Sequence, residues 1–156
     1  MKPNNVTRLL DSHNIPYTAF ELPEEKLGAL EAARLMDVMP EQVFKTIVVM
    51  REGKGKPILA VTSGTSEVDL KALAKAVGEK KLVLPTEREA ERLTGLQAGG
   101  ISPLALINRG FQVVIDETAQ LFDEIYISGG QRGLDIKLPV EVLVALTNAI
   151  FADFAR

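Results

Sequence analysis

The sequence has 156 residues, of which 46% are hydrophobic and 25% charged, with no cysteine and a formal net charge of −3 at pH 7. This length and balance predict a single globular domain over residues 1–156, and the lack of cysteine excludes disulfides, thiolate nucleophiles and cysteine-based metal sites. The net negative charge argues against bulk electrostatic binding of nucleic acid, but not against binding through a local patch.

The first predicted elements are a helix, a strand and a second helix. Apolar residues at helical spacing predict a helix over residues 4–13, which Asn4 or Asn5 caps. A short strand follows from residue 17 to about residue 22, and residues 29–37 form the second helix. The core candidates of that helix are Leu30, Ala33 and either Leu35 or Met36.

The middle of the chain contains a predicted hairpin. Two apolar segments, 43–50 and 57–63, flank a polar turn that contains glycine, so we expect them to pair as antiparallel strands. A third helix over 69–78 begins at an aspartate cap and ends at a glycine. A short strand at 82–84 precedes a fourth helix over 86–95, which starts with a threonine–glutamate capping box.

The last third continues the alternation of strands and helices. Strands are predicted at about 111–116, 124–128 and 134–138, and Pro139 begins a final helix that runs to about residue 150. The hairpins require antiparallel pairs within the alternating pattern. We therefore predict an α+β fold with a mixed, curled, barrel-like β-sheet surrounded by helices.

Lys45 is a charged residue in a predicted strand that is otherwise largely apolar. Both faces of strand 43–50 are largely apolar, so the strand should be central and buried. A lysine there must be desolvated, paired or directed into a cleft. The alternative is a lysine whose aliphatic stem lies on the core while its ammonium reaches solvent. The sequence supports these two interpretations of Lys45 equally.

Two glycine-rich segments are the other candidates. In Ala98–Pro103, Gly99 and Gly100 allow a ligand to approach main-chain amides, which bind an anion or a developing oxyanion. The segment Ile127–Gly133 follows a strand end, where binding sites gather. Its spacing matches neither phosphate-loop nor dinucleotide-binding motifs. A plain turn and a wide hairpin loop are the alternatives.

The sequence predicts neither a metal site nor a cofactor nor a membrane segment. The single histidine, His13, lies in a turn where an exposed or capping role is expected. No apolar run reaches the roughly 20 residues of a spanning helix, and the N-terminal stretch lacks the apolar core of a signal peptide. A cytoplasmic protein is therefore expected.

Four segments taken together resemble the YbaK/EbsC-like family, which includes free-standing relatives of the editing domain inserted in bacterial prolyl-tRNA synthetases. They read VFKTIVV, DLKALAKAVGEKKLVL, TGLQAGGISPLA and IYISGGQRGLDI, in the family's order and spacing, and the resemblance runs from about Asn4 to the C-terminus. It implies deacylation of mischarged tRNA, chiefly tRNA for proline carrying cysteine or alanine, without a metal. It also implies a mixed, barrel-like sheet with flanking helices.

The resemblance assigns roles to nine residues. Lys45 matches the family's essential lysine, followed by Thr46, in the V-[FY]-K-T strand. The loop expected around the aminoacyl ester supplies Gly99, Gly100, Ile101 and Ser102. The S-G-G loop on the other side of the pocket supplies Ser128, Gly129 and Gly130. Of these, Lys45, Gly99 and Gly100 are the expected catalytic group.

Three departures put the amino-acid specificity in doubt, while the lysine and the glycine loops are retained. Cysteine-deacylating members carry histidine and tyrosine in the first strand, where this chain reads TAFELPEE. They have a tyrosine at the position of Leu96 and a glycine at the position of Ala105.

The implied mechanism is ester hydrolysis without an acyl-enzyme. Backbone amides of the Gly99 loop would stabilise the oxyanion, and Lys45 would anchor the terminal adenosine or orient the attacking group. That group is water, the 2′-hydroxyl or the substrate's thiol. The expected partners are the CCA end of a mischarged tRNA and, as an optional second partner, an aminoacyl-tRNA synthetase. The rival functions are a non-catalytic nucleotide-binding module, a small-molecule ester or thioester hydrolase and a regulatory domain.

Overall fold

A computed structural model describes residues 2–156. Within this range, helices and strands alternate along the chain. The helices are α1 (Asn5–Ser12), α2 (Ala29–Met36), α3 (Leu70–Val77), α4 (Glu87–Thr94) and α5 (Val140–Thr147). The strands are β1 (Thr18–Glu21), β2 (Phe44–Arg51), β3 (Ile58–Ser63), β4 (Leu82–Val83), β5 (Gln112–Asp116), β6 (Glu124–Ser128), β7 (Leu134–Pro139) and β8 (Ile150–Ala152).

The strands form two sheets. One is antiparallel with the order β1-β7-β6, and the other is mixed with the order β4-β2-β3-β5-β8. The predicted β2–β3 hairpin is confirmed, and β5 lies parallel to both β3 and β8. An isolated parallel bridge between Val43 and Tyr126 joins the sheets at one point. The α+β class and the mixed pairing are thus confirmed, but the strands do not close into a barrel.

The main core lies between the two sheets. Alternate residues of each strand point inward, so Val61 of the five-stranded sheet packs in the same cluster as Ile127 and Leu138 of the other. A second cluster covers the opposite face of the five-stranded sheet, where α3 contributes Leu73 and the C-terminal segment contributes Phe154. Apolar cover on both faces explains why every residue of β3 is buried.

The predicted helix caps are confirmed. Asn4 caps α1 in a reciprocal box with Thr7, Asp69 caps α3, and Thr86 caps α4 in a box with Glu89. His13 is exposed at the end of α1, where its ring Nδ1 lies 3.0 Å from the carbonyl oxygen of Leu9. This agrees with the exposed or capping role expected for the histidine.

The core face predicted for α2 is partly wrong. Leu30 is 60% exposed and Leu35 is 40% exposed, whereas Ala32 and Ala33 are buried. The small side chains let α2 lie close to Val43, so the helix uses its alanines rather than its leucines for packing.

The last predicted helix is too long. Helix α5 ends at Thr147 because Asn148 adopts a left-handed conformation with φ 54°, and the chain then forms β8. The apolar run read as helical is divided between α5 and a strand at the edge of the sheet.

Asp116 holds the segment after β8 against the sheet. Its carboxylate, which is fully buried, accepts hydrogen bonds from the amides of Phe154 and Ala155 at 3.0 and 2.9 Å, and from the amide and hydroxyl of Thr118 at 3.0 and 2.6 Å. Burial alone would raise the pKa of Asp116, but these four donors outweigh it and lower the pKa below the ordinary value.

Replacing Asp116 by asparagine should lower the free energy of unfolding by about 2–3 kcal/mol, because an amide donor would face N–H and O–H donors in a buried site. Chemical denaturation at pH 7 measures the loss. Since the folded carboxyl has a lowered pKa, the wild-type advantage should shrink as the pH falls through that pKa. Asp153→Asn, at an exposed position, is the matched control. Equal stability of both variants would contradict the assigned role.

Candidate active site

A cavity of about 390 Å³ opens where the two sheets meet. Its walls come from β2, the segment 22–29, the start of α4, the loop 98–101 and the facing ends of β6 and β7. An ion pair between Lys26 and Glu87 links the segment 22–29 to α4. The volume falls within the range of small-molecule sites. Five residues predicted for the site line the cavity, namely Lys45, Thr46, Gly99, Ile101 and Ser128.

The strand register places Lys45, Ser128 and Asp135 on the same face. Val43 forms a parallel bridge with Tyr126, so Lys45 and Ser128, two residues farther along their strands, project from the same face as the bridged pair. Ser128 pairs in turn with Asp135 on the antiparallel strand β7. All three residues line the cavity. The lysine and the glycine loops therefore lie on the same side of the sheet, as the sequence-based mechanism requires.

Lys45 is half-buried and has no protein partner within residues 2–156, since its ammonium makes neither a hydrogen bond nor an ion pair there. Lys45 lies on β2, which fixes the position of its backbone, and the residue lines the cavity. The geometry favours the functional reading of Lys45, in which an unpaired cation is available to an anionic or polar ligand.

Asp135 is a candidate residue that the sequence reading missed. Burial raises the pKa of its carboxyl group from 3.8 to about 6. No hydrogen-bond or ion-pair partner is found for it among the described residues. In LDIKL the alternation of apolar and polar residues reads as one core face and one solvated face. Only the packing of α2 against Phe20 and Tyr126 of the neighbouring strands reveals that this second face is partly covered.

The amides of the loop 98–101 are not equivalent. The Gly100 N–H donates to the carbonyl of Gln97 at 2.8 Å, so this amide is occupied and the expectation that it binds an oxyanion is wrong. In the described part of the chain, the amides of Gly99 and Ile101 donate to no protein acceptor, and both residues line the cavity. Gly99 has φ +88°, a conformation that other residues rarely adopt. The free main-chain donors of this loop are therefore the amides of Gly99 and Ile101.

The role of Gly100 is to let two loops approach each other. A Cβ atom at this position would lie 2.8 Å from backbone atoms of Gln131 and Arg132. The Arg132 side chain also donates from Nε to the carbonyl of Ala98 at 2.7 Å. These contacts join the two glycine-rich segments into one wall and fix the position of the free amides.

Three other predicted binding residues do not line the cavity. Ser102 is fully buried, and its hydroxyl accepts a hydrogen bond from the amide of Leu104 at the start of a 3-10 helix. Gly129 donates to the Leu134 carbonyl and accepts from the Asn4 side chain, and the amide of Gly130 donates to the Ser128 hydroxyl. Their placement gives them the structural task of shaping the loops.

A search of residues 2–156 finds no group of three or more histidine, cysteine, aspartate or glutamate side chains that could hold a metal ion. Over the same range, no helix is both long enough and apolar enough to span a membrane.

The raised pKa of Asp135 predicts a pH-dependent effect on stability. Its folded pKa of about 6 exceeds the unfolded value of 3.8, so the folded state binds the extra proton and loses stability as the pH rises through 6. Asp135→Asn should remove this penalty and raise the free energy of unfolding at pH 8 by up to about 3 kcal/mol. The gain should be about half as large at pH 5, which lies between the two pKa values. Urea denaturation of both proteins at the two pH values measures the difference, and a gain independent of pH would contradict the assignment.

Comparisons with known proteins show what the chain is similar to. The sequence model of the family described as "Aminoacyl-tRNA editing domain" matches residues 24–146. A protein of Enterococcus faecalis with the provisional name Cys-tRNA(Pro)/Cys-tRNA(Cys) deacylase EbsC is 36% identical over 96% of this chain and 91% of its own length.

One further protein is similar in sequence over part of its length, and one solved structure is similar in fold. The proline–tRNA ligase of Limosilactobacillus reuteri is 30% identical over 59% of the chain, which corresponds to only 18% of the ligase. A solved structure, provisionally described as a trans-editing enzyme for prolyl-tRNA synthetase, superimposes with a TM-score of 0.82 at 26% identity. That superposition covers 100% of this chain and 99% of the other.

Proposed function

The chain belongs to the family of aminoacyl-tRNA editing domains, and from this premise we propose that it is a trans-editing deacylase that hydrolyses the ester of mischarged tRNA. The family match covers most of the chain, and the EbsC relative, named as a deacylase, matches it nearly end to end. One observation carries the proposal at the level of the site. An unpaired cation, Lys45, shares a cavity with a buried carboxyl group and two free amides.

The reaction needs little more than these groups. Water attacks the ester carbonyl, a new carbon–oxygen bond forms, and the bond to the ribose oxygen breaks to give a free amino acid and a tRNA with a free terminal hydroxyl. The amides of Gly99 and Ile101 would donate to the carbonyl oxygen as its charge develops. The Asp135 carboxylate, with its pKa raised to about 6, would accept the proton from water and then give it to the ribose oxygen as that oxygen leaves.

Lys45 would hold the end of the tRNA in place. Lys45 lines the same cavity as Ser128, so its ammonium would be able to contact the ribose or phosphate of the terminal adenosine. Ser128 and Thr46 would contribute hydroxyl contacts to the same ligand. An accurately held ester and water account for much of the rate in such a reaction.

We propose cysteine or alanine on tRNA for proline as the substrates. EbsC is named for cysteine esters, and the proline–tRNA ligase match relates the chain to proteins that handle this tRNA. We propose the cytoplasm as the compartment of this activity, because such substrates are used there in protein synthesis. The acidic net charge of −3 favours recognition limited to the single-stranded CCA end. A synthetase is a suitable second partner because it would deliver the tRNA.

A deacylation panel tests this function. Purified protein is mixed with tRNA for proline charged with alanine, cysteine, serine, threonine or proline, and with the same amino acids on their cognate tRNAs. We expect multiple turnovers on at least one mischarged species and none on proline esterified to its own tRNA. Tight binding without turnover would instead favour a nucleotide-binding module. Equal rates on free amino-acid esters would favour a small-molecule esterase.

A further inference from the structure

Thr62 carries a buried hydroxyl group that no protein atom satisfies. The residue is fully buried in the middle of the five-stranded sheet, and its Oγ1 is the one buried side-chain polar atom within residues 2–156 that lacks a hydrogen-bond partner. An unsatisfied buried hydroxyl lowers stability, and valine would fill the same space without this cost. A polar residue that is unfavourable for the folded state calls for a partner in another state of the protein.

The strand register identifies the neighbours of this hydroxyl. Thr62 pairs directly with Lys45 across the β2–β3 hairpin, so the two side chains project from the same face. On its other side, the β3–β5 pairing ends at Val61 and Ile115, which makes Asp116 the next residue along β5. Each side of Thr62 is thus flanked by an ionised group.

Asp116 is already fully used. Each of its two carboxylate oxygens accepts two hydrogen bonds, from the amides of Phe154 and Ala155 and from the amide and hydroxyl of Thr118. Lys45, in contrast, has up to three ammonium donors and no partner among the described residues. A lysine donor and a hydroxyl acceptor, both unsatisfied, therefore occupy directly opposite positions.

We propose that Thr62 is a positioning residue for Lys45, whose ammonium donates to the Thr62 hydroxyl when the aminoacyl end of the tRNA fills the cavity. A bound ligand displaces the water that solvates the ammonium in the open cavity, so the ammonium then needs protein acceptors. The hydroxyl supplies one acceptor and restricts the rotation of the lysine side chain. This inference rests on the proposed deacylase function.

Thr62→Val and Thr62→Ser test the proposal, with single-turnover deacylation and thermal unfolding as the measurements. Thr62→Val should have an unchanged or raised Tm, because it removes an unsatisfied hydroxyl at constant shape. Its rate at saturating aminoacyl-tRNA should fall about tenfold, the loss expected for a hydrogen bond to a charged group. Thr62→Ser keeps the hydroxyl and should stay within about twofold of the wild-type rate.

Thr147→Val is the matched control. The Thr147 hydroxyl donates to the Leu143 carbonyl within α5, away from the cavity, so this variant should lose some stability and keep the wild-type rate. A Thr62→Val protein as fast as wild type would overturn the positioning role, and so would equal losses in the valine and serine variants. Wild-type protein without deacylase activity would instead defeat the proposed function itself.

Discussion

Lys45→Ala is expected to slow single-turnover deacylation of mischarged tRNA by about 100-fold or more. The variant removes a cation that lines the same cavity as Ser128, so in the proposed mechanism the terminal adenosine loses its charged contact and its fixed position. Losses of this size follow when a preorganised charged or hydrogen-bonding group is removed from a reacting ester, or when the substrate shifts by about 1 Å.

Two further variants test whether the effect depends on the position of the charge. Lys45→Arg retains the charge but replaces a compact ammonium with a larger planar group, so it should recover only part of the activity. Lys54→Ala removes a lysine from the exposed β2–β3 turn and should behave as wild type. If Lys45→Ala keeps activity within a few-fold of wild type while Lys54→Ala does the same, Lys45 has no part in the reaction.

Gly100→Ala is expected to have the second-largest effect on activity, a decrease of about 10- to 100-fold. The added methyl group would lie 2.8 Å from the backbone of Gln131 and Arg132, and backbone atoms cannot move aside as a flexible side chain can. The two loops would have to separate, which would displace the free amides of Gly99 and Ile101 from the ester. Overpacking of this kind also lowers stability by about 1–3 kcal/mol.

Gly53→Ala is the control for this experiment. An added Cβ at Gly53 meets no atom within 4 Å, and the residue lies in the exposed turn between β2 and β3. Steady-state rates and urea midpoints of both variants separate an effect on the site from an effect on folding. A Gly100→Ala protein with wild-type activity would show that the contact between the loops does not position the catalytic amides.

Much of the fold could be predicted because the signals are local. Capping residues such as Asn4, Asp69 and Thr86 bond to amides within the next three residues, so the sequence contains both partners. Lys45 was also identifiable, since a lysine in a strand that is apolar on both faces contradicts its surroundings. The resemblance of four segments to one family then linked this lysine to the glycine loops.

The features that could not be predicted depend on contacts between distant segments. The outer face of β7 is partly covered because residues of α2 pack against Phe20 and Tyr126 on the flanking strands, so Asp135 resembled a solvated residue in a regular alternating strand. The Gly100 amide is satisfied by a turn bond to Gln97 that a glycine pair does not reveal. In α2, hydrophobicity favoured Leu30 for the core, but the close packing of the helix selected the alanines.

The attachment of the C-terminal segment has a consequence for the folding of the chain. Until residues 150–152 pair with β5, that strand presents its unbonded N–H and C=O groups to other molecules. The order of assembly therefore matters. A polypeptide that has formed the hairpin and β5 but has not yet docked its last segment exposes this edge and is prone to self-association. The hydrogen bonds from residues 154 and 155 to Asp116 stabilise the docked segment and so lower the population of that species at equilibrium.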